Sequence, residues 1–140
     1  MNVKAGAPFS NDEKVLRVVW DFEKDGGDVG SLDILEAEDD ILITGFATVV
    51  KTAVTSAGNL TLAVGPTGSL TKFLTATQGA KAELTEGAAL FPLEGSSENA
   101  TSWDPTLPHL VEKGDKIVQA IGTAAATAGK VEYMIKYVRA

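Results

Sequence analysis

Cysteine is absent from the 140-residue chain, and histidine occurs once. Without thiols there is no disulfide framework, no thiolate metal site and no cysteine nucleophile. A single imidazole, His109, does not furnish the two or three nitrogens of a cupin-type or His-rich zinc site. A Ser-His-Asp arrangement stays formally open, but no Gly-X-Ser-X-Gly elbow presents a serine. His109 sits in Pro108-His109-Leu110-Val111, just ahead of an expected strand, and reads as a rim or loop histidine. A phosphate loop is missing too. Val64-Gly65-Pro66-Thr67-Gly68-Ser69 lacks the Gly-Lys-Ser/Thr ending and reads as a connection from a strand to a helix. No apolar run approaches the roughly 18 residues of a membrane-crossing helix. Met1 to Ser10 carries one lysine and no apolar core, so no secretory signal is expected. Positive charge is scarce as well: 12 Lys and Arg face 19 Asp and Glu, for a formal charge of −7. That balance argues against nucleic-acid phosphates and anionic membrane surfaces as partners.

What is present is a globular composition, 44% hydrophobic and 22% charged, in which β-branched residues recur in short runs. Lys14 to Phe22 and Leu32 to Glu36 read as strands, separated by a turn at Asp25-Gly26-Gly27-Asp28. Ile41 to Ser56 is the longest β-favouring run, and Gly45 inside it suggests a bulge. Ala57-Gly58-Asn59 turns the chain into Leu60 to Gly65. Leu70, Phe73 and Leu74 have i, i+3, i+4 spacing behind a capping Ser69, which predicts a short helix around 69–78. Lys81 to Phe91 fits either a strand or irregular structure, and 95–108 reads as loop. Ile117 to Ile121 and Val131 to Val138 read as strands, with Ala128-Gly129 as the turn between them. Along the last run Val131, Tyr133, Ile135 and Tyr137 share one face, opposite Glu132 and Lys136. The expected fold is therefore all-β: one antiparallel β-sandwich, jelly-roll-like, over 14–140, with an N-terminal arm over 1–13.

Two features invite a chemical reading. Nine of the nineteen acids fall between Asp21 and Asp40, where Lys24 is the only base. Such a run is usually a solvated acidic face or one matched to a basic partner. Asp25 and Asp28 also offer carboxylates from one tight loop to a cation, although no EF-hand spacing is present. A glycosidase would need two carboxylates facing each other across a cleft, with aromatics to hold the sugar. Of the two tryptophans, Trp20 lies in a strand and reads as core. Trp103 lies in a polar loop and is the better contact residue. In the arm, Pro8 and Phe9 show no local period, as expected of a segment that orders on a neighbouring subunit. No catalytic residue, cofactor or metal site is assigned.

Several phrases together resemble tailed-bacteriophage virion proteins, in particular small jelly-roll head decoration (cement) proteins. They begin with Leu32-Asp33-Ile34-Leu35-Glu36-Ala37 and Asp39-Asp40-Ile41-Leu42-Ile43. They continue through Thr52-Ala53-Val54-Thr55-Ser56-Ala57-Gly58-Asn59-Leu60-Thr61-Leu62-Ala63-Val64-Gly65 and Ser69 to Ala76. They close with Lys113-Gly114-Asp115-Lys116-Ile117 and Thr127-Ala128-Gly129-Lys130-Val131 to Tyr137, so the resemblance covers roughly Leu32 to Ala140. It implies a β-sandwich on the outer surface of a virion head, bound to the major capsid protein, often as a homotrimer, and without catalysis. A tail or fibre component, or a carbohydrate-binding sandwich, is the alternative.

Overall fold

The computed structural model describes residues 3–5, 13–92 and 107–140. In chain order the strands are β1 (Val3–Ala5), β2 (Lys14–Asp21), β3 (Gly30–Ala37), β4 (Ile41–Ser56), β5 (Thr61–Pro66), β6 (Ala89–Leu90), β7 (His109–Val111), β8 (Lys116–Gly122) and β9 (Ala126–Arg139). A one-turn helix, α1 (Phe22–Asp25), follows β2, and a 3-10 turn occupies Lys81–Glu83. One sheet has the order β1-β3-β8-β5; the other has β2-β9-β4-β6, with β7 also pairing β4. From β1 to β5, and again from β7 to β9, consecutive strands alternate between the sheets. The chain is thus wound as a jelly-roll-like β-sandwich, as expected. The exception to its antiparallel pairing is β1, which runs parallel to β3 with Ala5 opposite Ala37. The expected N-terminal arm therefore contributes a short edge strand instead of remaining wholly outside the domain.

Period-2 patterning explains the core. Val18 and Trp20 of β2 point inward, while Val15, Arg17 and Val19 on the other face are exposed. Along β9, Val131, Tyr133, Ile135 and Tyr137 are all buried, which is the face the alternation predicted. The central ladder is β4 against β9, from Ile41 opposite Arg139 to Ser56 opposite Ala126. So long a pair must bend to wrap a core, and the register slips between Ile43 and Gly45 and three more times toward Ser56. The bulge expected at Gly45 is thereby observed. Rings meet in the core as well: Phe46 of β4 stacks on Phe73 at 4.9 Å, and Tyr133 of the same sheet lies 6.0 Å from Phe46. One hydrogen bond crosses the core, from the Tyr133 hydroxyl to Oε1 of Gln119 on β8, with both side chains buried.

Two expectations need correction. No helix forms over 69–78; the segment folds as successive turns along the free edge of β5. The Val64 amide donates to the Leu74 carbonyl at 3.0 Å, and the Phe73 and Leu74 amides return bonds to the Val64 carbonyl at 2.9 Å. Leu62 and Lys81 extend the same seam through Gly79 and Leu60. A helix would have consumed those amide groups internally and left β5 unpaired. Phe73 and Leu74 are buried as their spacing suggested, but Leu70 is exposed. Nor is Ala128-Gly129 a turn. The β8–β9 connection is Thr123–Ala125, with Thr123 at φ 71, and Gly129 lies inside β9. A Cβ on Gly129, at φ 143, would meet Val54 Cγ2 at 2.9 Å, Val54 Cα at 3.0 Å and Trp20 Cζ3 at 3.3 Å, so this glycine makes room for Val54 first and the indole second.

The edge seam supplies a test. A Cβ at Gly79 would stand 1.7 Å from the Leu62 carbonyl oxygen, whereas Gly87, at φ 85, has nothing within 4 Å. Gly79→Ala is expected to cost about 3 kcal/mol because backbone must move. Gly87→Ala is expected to cost only about 1 kcal/mol of left-handed strain. Urea denaturation of the two variants checks the difference. The core bond supplies another. Tyr133→Phe leaves the buried Gln119 amide without its partner and is expected to cost roughly 1–3 kcal/mol, whereas adding Gln119→Leu recovers much of the loss. Equal stability of the single and double variants would contradict that account.

Candidate interaction surface

The acidic run from Asp21 to Asp40 does not assemble into one site. β3 lies in the middle of it, and eight extended residues span about 27 Å. Asp21, Glu23, Asp25 and Asp28 therefore sit at one end of the sandwich, and Glu38, Asp39 and Asp40 at the other. Between them Asp33 is held by Lys116 at 2.9 Å. At the first end the carboxylates organise the α1 corner. Asp21 caps the helix by accepting from the Glu23 amide at 3.0 Å, and Asp25 accepts from the Asp21 amide at 2.9 Å. Lys130 lies 3.8 Å from Asp21. At the other end Asp40 accepts from the Lys113 amide at 2.8 Å. Among the described residues no group of three His, Cys, Asp or Glu side chains is placed to hold a metal ion.

Of the contact residues singled out by sequence, Asp25 and Asp28 flank the α1 corner, while Pro8, Phe9 and Trp103 lie outside the described residues. Trp20 is core, as read: it is 1% exposed, and its indole N–H donates to the Gly26 carbonyl at 2.9 Å. That bond fastens the Asp25–Asp28 turn over one end of the hydrophobic core. Asp25 and Asp28 border a cleft of about 190 Å³ beside β3, whose wall includes Trp20, Leu32 and Gln119.

His109 opens β7 and is half-buried, its ring meeting Phe73 edge-on at 5.8 Å. Burial, with Lys72 nearby as a secondary cause, holds its pKa below the ordinary histidine value. Its contacts are those of a packing residue at the sandwich margin.

Sequence reasoning missed the outward face of the five-stranded sheet. Val15 of β2 is 49% exposed and Phe91, after β6, is 61% exposed. With Ala47, Val49, Met134 and Leu107 they border a groove of about 570 Å³. The same face carries the ion pairs Arg17–Glu132 at 3.1 Å and Lys130–Asp21 at 3.8 Å. Its signal was present in the sequence, because alternation that assigns Val18 and Trp20 to the core leaves Val15 and Val19 on the opposite face. An apolar outer row on an otherwise acidic domain is the kind of surface other proteins cover.

No protein-family model and no curated protein sequence matches the chain. Among solved structures, a chain of the "Cyanophage Pam1 capsid asymmetric unit" is similar, with a TM-score of 0.63 and 21% sequence identity. The match covers 97% of this chain and 91% of that one. The two therefore share a fold over nearly their full lengths.

The His109 environment predicts a pH dependence. The folded protein resists protonating this ring, while the unfolded chain takes up the proton near pH 6.5. The contribution is thus fully present above about pH 6.5 and is lost as the pH falls toward the depressed folded value. Thermal melts between pH 7.5 and 5 are expected to show a shallower acid-side decline for His109→Gln than for the parent. An identical decline would remove His109 as a contributor.

Proposed function

We propose that this chain is a bacteriophage virion structural protein that decorates the outer surface of the head and acts through contacts alone. The observation that carries the reading is the reciprocal, nearly full-length likeness to a chain of a phage capsid asymmetric unit. A β-sandwich of this size and winding is thereby paired with an assembly in which such a domain occurs. The sequence phrases that resemble head decoration proteins add to it from an independent direction.

The mechanism follows from the surfaces. A decorating domain that bridges neighbouring shell subunits adds interface area that must be lost before they separate. A stable contact needs roughly 1,600 Å² in total. Binding the assembled shell in preference to its free subunits raises shell stability by mass action. In this reading the apolar outer face of the β2-β9-β4-β6 sheet supplies the desolvated part of the contact, and the acidic ends seek basic counterparts on the major capsid protein. Homotrimer formation would cover further open edge. No step of this mechanism calls for a reacting side chain or a cofactor.

Copy number in purified particles tests it. Hundreds of copies per particle, released under mild denaturation while the shell stays closed, are expected. A handful of copies at a single vertex would instead assign the chain to the tail and overturn the decoration reading.

A further inference from the structure

We draw no further inference here: the strongest candidate, the apolar groove that Val15, Ala47, Val49, Phe91 and Met134 border on the outer face of the β2-β9-β4-β6 sheet, carries nothing because nothing in the structure shows what covers it.

Discussion

A two-sheet sandwich ends in edges, and the unpaired N–H and C=O groups along them constrain everything else in this fold. Four edges must be dealt with, and the chain treats them differently. The β5 edge is sealed by the 67–81 segment, which gives up helical hydrogen bonding to reach Val64 and Leu62. The far edge of the other sheet is shortened to the two residues of β6 and the three of β7. Among the described residues the β3 edge is covered over Leu35–Ala37, by β1. The β2 edge has no strand beside it among the described residues, although Lys14 and Arg17 place charge along it. Among the described residues, the sealed edges thus fall on one side of the sandwich and the less covered ones on the other.

The interior is organised around the same two layers. Most of the core is aliphatic and interchangeable in kind, but Tyr133 and Gln119 form a polar link between sheets that tolerates little displacement. Desolvation pushes the Tyr133 pKa well above the ordinary tyrosine value, so the hydroxyl remains a neutral donor. A buried hydrogen bond of this kind contributes modestly when made and costs more when broken. Its effect is therefore on which sheet-to-sheet registration is allowed, more than on how strongly the sheets adhere. Trp20 plays the corresponding part at one end. Its indole packs where Gly129 leaves space, and its N–H ties down the Asp25–Asp28 turn.

These points also explain which features were legible in sequence. Faces of strands were readable because alternation is local: Val131 to Tyr137 and the inward Trp20 follow from a two-residue period. Gly45 was readable because a glycine inside a long β-run has few uses other than a bulge. The 69–78 segment misled because Phe73 and Leu74 are core residues whose spacing suits a helix, while the deciding factor, an unpaired strand at Val64, lies elsewhere in the chain. Gly129 misled for a related reason: its small size answers to Val54 and Trp20, both far away in the chain. The turn itself fell to Thr123, which adopts a positive φ without glycine's signature. The acidic run looked like one cluster because sequence distance is short, yet β3 carries its halves to opposite ends.

That separation bears on how the domain can associate. With Asp21, Glu23, Asp25 and Asp28 at one end of the sandwich and Glu38, Asp39 and Asp40 at the other, two copies meeting end to end would bring like charges together, and physiological salt screens these only beyond about 8 Å. On the lateral faces Asp33 and Glu132 are paired with Lys116 and Arg17. The outer face of β2, β9 and β4 offers Val15, Ala47, Val49 and Met134 beside the Arg17–Glu132 ion pair. In the proposed role, copies associating side by side would leave the acidic ends directed at whatever lies above and below. An array of domains lying side by side and joined by strand edges has the geometry of a shell coat. In such an array the charged ends would set the choice of underlying partner, while the apolar face and open edges would set the lateral spacing. Affinity and specificity then reside on different surfaces of one small sandwich, and a change on one is free to proceed without disturbing the other.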